Sequence, residues 1–400
     1  MKRIAIITPF LAQGGLEKVA VTTAEYLKKF YDVDLIVFDT FKVDYDYSGN
    51  IIDLNINFYH VSFKDRLKGL YMAYKKLSQM EKNYDLLIFH GELAYISGMF
   101  LDKQRIVAIH ENRFSAKKDF QAKLFHKIGK WVYKNKKIKK IITVSEGIKE
   151  KFIYFYNISN SKIQTIYNPF DIKQIRFLAE ENLNEFEDIF KNNDIFIKVG
   201  RLSLEKGHKY LLKIFKEYKN FNSQVKLVLL GDGELKSELI KYSEKLGLKT
   251  FDIQNDKLSG NYDVYFLGFQ QNPYKFIKNS KISIMSSLWE GFGNTIVESM
   301  ACGIPVLSTD CESGPREIIA PNSKKISKIL FGEYGILLPE FKDEMDKENI
   351  NQWIEGFEYL LKDDNNYKNY SQKALQRAKE FDLEIVMNNW KNVIEESLRA

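Results

Sequence analysis

Two successive strand–loop–helix units are written into residues 282–319, ISIMSSLWEGFGNTIVESMACGIPVLSTDCESGPREII. Ile282 to Met285 is an apolar run too short for a helix and suited to a buried strand. A loop with Gly291 and Gly293 follows, then a helix that Asn294 or Thr295 can cap and that Gly303 ends. Residues 305–309 read as a second strand. Ser313-Gly314-Pro315 opens another helix, with proline near its first position. In a parallel α/β sheet both loops lie at the carboxyl edge, where ligands bind. Both helix N-termini can aim free N–H groups at an anion.

Two carboxylates punctuate the stretch: Glu290 in the loop and Glu298 about one turn into the helix. Alone, Glu290 reads as a loop charge and Glu298 as a glutamate favoured by the helix dipole. Together they bracket a phosphate-favouring helix start with two hydroxyl acceptors. A nucleotide sugar has the matching layout of sugar, diphosphate and ribose.

The full pattern, Glu290-Gly-Phe-Gly-Asn-Thr-Ile-Val-Glu298 with Ser-Gly-Pro-Arg-Glu further on, resembles the signature of the retaining GT-B glycosyltransferases. The resemblance implies two doubly wound, Rossmann-like α/β domains facing a central cleft. It implies that Glu290 holds sugar hydroxyls and Glu298 the ribose, with Gly291, Phe292, Gly293, Asn294 and Thr295 lining the donor. The enzymes of capsule, lipopolysaccharide and lipid-linked oligosaccharide assembly are the most similar in flavour.

Taken in order, the chain alternates strands and helices throughout. Residues 2–9 form an apolar strand of the central parallel type. The loop with Gly14 and Gly15 follows, then a helix over 17–30 and a strand over 33–38. The Gly-Gly turn lacks the Gly-x-Gly-x-x-Gly dinucleotide fingerprint; the resemblance assigns it to the donor diphosphate and the acceptor side. Asp32/Asp34 and Asp44/Asp46 are similar to the metal-binding aspartate pair of another glycosyltransferase fold. The first pair opens a strand and the second lies between elements, so neither is read as a metal site. The strand 106–109 ends in His110, which the resemblance puts near the reacting sugar; a purely structural histidine is the alternative. Strands at 86–89, 141–144 and 163–166 complete this half.

Residues 173–192 are charged and helical. The strand 194–199 then opens a second alternating set. It runs into Gly200-Arg201-Leu-Ser-Leu-Glu-Lys206-Gly207, similar to the family's phosphate-binding Gly-Arg…Lys-Gly motif. The chemistry agrees: a departing diphosphate gains charge that fixed cations stabilise, by an Arg fork and a Lys point charge. Strand 225–230 ends at Gly231. Strand 264–267 ends at Gly268 and Phe269, the turn that the resemblance puts beside the nucleotide base. A strand over 335–338 and helices over 349–361, 367–378 and 381–398 close the chain.

The expected domains are 1–172, joined by the final helix 381–400, and 173–380. The net charge of +7 permits an anionic partner without naming one. Cys302 and Cys311 make no disulfide framework. No stretch approaches a membrane span, and MKRIAIITPF lacks a signal-peptide profile, so the cytoplasm is the expected compartment. The basic, amphipathic stretches 64–82 and 117–140 suggest reversible contact with the inner face of an anionic membrane. Lys130, Lys134, Lys136 and Lys137 stand in the second. A helix packed on a sheet needs the same apolar stripe. No nucleic acid partner is expected.

The function expected is transfer of a hexose or N-acetylhexosamine, with retention, from a nucleotide sugar of the UDP-linked kind to a glycan or lipid-linked acceptor. His110, Arg201, Lys206 and Glu290 are its catalytic residues. No metal and no cofactor is called for; the nucleotide sugar is a substrate. The alternatives are a sugar-nucleotide epimerase of the same fold and a catalytically silent partner subunit.

Overall fold

The computed structural model describes residues 1–12, 14–58, 62–110, 129, 131–258, 260–341 and 347–399. They divide into two compact units, residues 1–169 with 383–400, and residues 170–382.

Among the described residues, the first unit is built on seven strands: β1 (Arg3–Thr8), β2 (Asp32–Val37), β3 (Asn50–Asp53), β4 (Leu86–His90), β5 (Arg105–Ile109), β6 (Ile138–Thr143) and β7 (Ile163–Thr165). Their order is β3-β2-β1-β4-β5-β6-β7, with every neighbouring pair parallel. Parallel strands are covered on both faces, which is why residues 4–7 of β1 and 86–89 of β4 are unbroken apolar runs. The order reverses between β1 and β4, the position where doubly wound sheets open a ligand crevice. The last helix, Leu383–Arg399, buries Met387, Trp390 and Ile394 in a core shared with Ile4, Ile6, Leu35 and Ile88. Tyr26 Oη donates to Glu384 at 2.6 Å and ties the first helix, Gly15–Leu27, to it.

The second unit has eight strands: β8 (Ile195–Val199), β9 (Lys226–Leu230), β10 (Thr250–Asp252), β11 (Val264–Phe266), β12 (Ile282–Met285), β13 (Val306–Thr309), β14 (Leu330–Phe331) and β15 (Ile336–Leu338). Their order is β10-β11-β9-β8-β12-β13-β15-β14. Among the described residues, only the two-residue β14 runs antiparallel. Phe196, Leu227, Ile284 and Leu307 pack with Leu211, Phe215, Trp353 and Phe357 of helices His208–Lys219 and Lys347–Leu361. The reversal of strand order falls between β8 and β12.

Three strands, β3, β10 and β14, are not anticipated from the sequence. Each stands at the edge of its sheet; an edge strand is covered less and carries a weaker apolar signal. The charged segment 173–192 is a short helix Ile172–Ala179, a 3-10 turn Asn184–Phe186 and a helix Glu187–Lys191. Asp34 is committed to structure, accepting from Arg3 at 2.8 Å, Asn50 at 2.8 Å and Tyr84 at 2.7 Å.

Candidate functional site

At the reversal point of the second sheet, the loops leaving β8 and β12 are pressed together. The loop after β8 ends in a 3-10 turn, Leu204–Lys206, and then Gly207 with φ 62°. A Cβ on Gly207 would stand 2.0 Å from the carbonyl oxygen of Ser286, so only glycine allows both the left-handed backbone and this approach. Ser286 Oγ donates to the carbonyls of Lys206 and Gly207, each at 3.2 Å. The Leu288 N–H donates to Glu205 O at 2.8 Å. This seam brings Lys206 Nζ to 2.7 Å from Glu290 Oε1. Ser287 Oγ donates to the same carboxylate oxygen at 2.7 Å.

The helix after this loop is Asn294–Ala301, and its N-cap is Gly293 (φ 99°) rather than Asn294 or Thr295. Gly293 has no side chain with which to cap it, and Asn294 and Thr295 fall inside the helix. Glu298 follows in the second turn, 5 % exposed, with Tyr274 Oη at 3.4 Å. Gly291, Asn294 and Thr295 are half-buried. Phe292 is buried, its ring 6.4 Å from Phe170 and 5.5 Å from Phe381, so its side chain serves packing.

The loop after β13 runs beside this one, bridged through Trp289 and Glu312. It is fixed by a two-pronged pair: Arg316 Nε and an Nη donate to the two oxygens of buried Asp310, each at 2.7 Å. The Ile326 N–H adds a third bond to Asp310 at 3.0 Å. Arg316 lies in the Ser-Gly-Pro-Arg-Glu run, but sequence reasoning missed its partner, because an Asp after a strand has no special local pattern.

Arg201 is exposed, two residues past the end of β8. The turns after β9 and β11 are joined by Gly231 N–H donating to Gly268 O at 2.8 Å. Phe269, beside them, is 42 % exposed. Thus Arg201, Lys206, Gly231, Gly268, Phe269, Glu290 and the 291–298 run all follow strands of one sheet at its carboxyl edge.

The first unit holds the other predicted residues. Gly14 is the N-cap of the helix that begins with Gly15, in the loop after β1. His110 follows β5, with its Nε2 3.0 Å from Nδ1 of His90, the last residue of β4. Burial pushes the His110 imidazole down to about 3. His90 is likewise held well below its ordinary value, by burial and then by His110. Both rings are therefore neutral, one donating to the other. His90 also stacks on Trp390 at 5.7 Å. Sequence reasoning missed His90, although a histidine closing a central strand was the signal used for His110.

The chain and its fold have known counterparts. The chain matches the profile described as Glycosyl transferases group 1 over residues 179–377, and that described as Glycosyltransferase Family 4 over residues 13–174. The chain belongs to the group 1 glycosyltransferases. Among its relatives is an uncharacterized glycosyltransferase of Methanocaldococcus jannaschii, 37% identical over 270 residues, which are 64% of this chain and 63% of that protein. Another is the Campylobacter jejuni N-acetylgalactosamine-N,N'-diacetylbacillosaminyl-diphospho-undecaprenol 4-alpha-N-acetylgalactosaminyltransferase, 29% identical over 96% of both chains. The fold of this glycosyltransferase is that of GT-B enzymes. Anabaena HepE, crystallised with UDP and glucose, superposes with a TM-score of 0.75 at 17% identity, over 99% of this chain and 100% of its own.

Proposed function

We propose that this glycosyltransferase moves a hexose or N-acetylhexosamine from a UDP-linked donor to a lipid-linked glycan in bacterial surface-glycan assembly, with retention and without a metal or cofactor. The observation that carries this reading is the Lys206–Glu290 contact at 2.7 Å, at the reversal point of the second sheet. Arg201 and Lys206 take the donor diphosphate, Glu290 the sugar hydroxyls and Glu298 the ribose. The glycine turns at Gly231 and Gly268, with Phe269, lie toward the base. As the bond from the sugar C1 to the diphosphate breaks, charge collects on the leaving oxygen, and the two cations stabilise it. The acceptor hydroxyl bonds to C1 on the same face, and its proton passes to that oxygen. In the first unit, His110 is neutral and serves as a hydrogen-bond partner for a sugar hydroxyl. The Campylobacter relative, whose acceptor is linked to diphospho-undecaprenol, supports the lipid-linked acceptor. The UDP and glucose held by Anabaena HepE support the donor class. Proton NMR of fresh product from an α-linked donor tests the stereochemistry: an α-linked product is expected, and a β-linked one would overturn retention.

The acceptor's lipid implies contact with a membrane surface, and the first unit has a face suited to it. No described helix is long and apolar enough to cross a membrane. Yet Leu67 and Tyr71 of helix Phe63–Met80 are exposed, as are Phe100 and Trp131, whose rings lie 5.9 Å apart. Tyr74 joins Phe100 edge-on at 6.2 Å. Lys64, Lys68, Lys75, Lys134, Lys136 and Lys137 are exposed in the same segments. Lys76 and Lys140 are instead tied to the carbonyls of Leu54 and Ser161. Residues 117–128 and Lys130 of the predicted basic stretch lie outside the described residues.

A further inference from the structure

Strand β8 reads Ile195-Phe-Ile-Lys-Val199 and carries one charge, Lys198, in an otherwise apolar run. Alternation sets Lys198 on the face of Phe196. The Phe196 ring packs on Tyr218 and Phe357 at 5.6 and 4.6 Å. Lys198 is one pleat nearer the carboxyl edge and 1 % exposed. A methionine would fill that space without the cost of burying an ammonium.

The groups around Lys198 do not compensate its charge. Lys206 repels it, while Glu290 and the Cys311 thiol favour it. Glu290 already faces Lys206 at 2.7 Å, and burial raises the Cys311 thiol, which stays protonated. His208, first in the next helix, is kept neutral by burial and then by Lys198 and Lys206. Lys198 lies in the last residues of β8, the strand that leads into Arg201 and Lys206, and there two ammonium groups, Lys198 and Lys206, face the single carboxylate of Glu290. Lys198 is the member that yields: burial first, then Lys206, pushes it down to about 7. An anion brought close favours its charged form again.

We propose that Lys198 is a switched donor-site cation, which takes a proton from solvent when the diphosphate of a nucleotide settles over Lys206 and Arg201. The inference rests on the donor-site reading above. One proton moves from the buffer to Nζ, and no other bond changes. The diphosphate thereby meets a third positive charge that is only partly present while the site is empty.

The test is calorimetry of UDP binding at about pH 8, where the terminal phosphate is already deprotonated, in buffers of differing ionisation enthalpy. Wild-type protein is expected to take up between about half and one proton, with UDP affinity falling as pH rises, by at most about tenfold per unit. In Lys198→Met the uptake disappears. Lys198→Arg, whose charge is permanent, binds UDP with no uptake. Binding of UDP by wild type without proton uptake would overturn the proposal and leave the donor site standing. So would undiminished uptake in a Lys198→Met protein that melts cooperatively. The wild-type measurement decides the matter even if both variants misfold. Failure of wild type to bind UDP at all would overturn the UDP-donor reading and this proposal with it.

Discussion

Lys206 Nζ lies 2.7 Å from Glu290 Oε1, although 84 positions separate the two residues in the chain. The contact exists because β8 and β12, distant in sequence, are neighbours in the sheet, and because Gly207 lets one loop lie against the carbonyl of Ser286. It joins the residue assigned to the donor phosphates with the residue assigned to the sugar.

Arg201→Ala and Lys206→Ala are each expected to slow turnover about 10- to 150-fold, the equivalent of roughly 1.5–3 kcal/mol for a charge-assisted hydrogen bond acting in the transition state. Melting temperatures should change little for Arg201→Ala, because its side chain is exposed. EDTA is expected to leave wild-type turnover intact. Steady-state kinetics with and without chelator checks both statements; loss of activity in EDTA would contradict the metal-free reading.

Glu290→Gln and Glu298→Gln should separate catalysis from nucleotide binding. The first is expected to lower kcat with the full donor while UDP affinity holds. The second should weaken UDP itself. Calorimetry with UDP beside kinetics with the sugar nucleotide reads the split, and the opposite pattern would mean the donor lies the other way round.

Acid should destabilise the fold through its buried imidazoles. His90 and His208 are held below the ordinary value of 6.5, chiefly by burial. The unfolded chain therefore binds protons that the folded chain refuses. Stability is full above about pH 6.5 and falls below it, by up to about 1.4 kcal/mol per pH unit for each such ring. Thermal melts at descending pH should show this slope, reduced in His208→Leu. A flat profile from neutral to mildly acidic pH would contradict it.

Liposome sedimentation should detect the membrane contact. Binding is expected to need anionic lipid and to fall with salt, since each lysine near such a surface contributes about 1 kcal/mol. Lys134→Glu with Lys136→Glu and Lys137→Glu, or Trp131→Ser alone, should weaken it. Absence of sedimentation at low salt would remove the case.

The sequence determined the alternation of strands and helices, because buried parallel strands must be apolar runs and the helices between them must show a stripe. It also determined the local chemistry of residues 282–319, where glycine, proline and carboxylate spacing act within a few residues of one another. The tertiary structure decided what is neighbour to what. Strand order set β8 beside β12 and so Lys206 beside Glu290, a long-range pairing with no local trace. It assigned the Phe292 ring to the interior, gave Asp310 to Arg316, and added three edge strands that carry too few buried residues to announce themselves. It turned Lys198, one charge in an apolar run, into a fully buried amine, because which face of a strand meets a helix is fixed only when the sheet assembles.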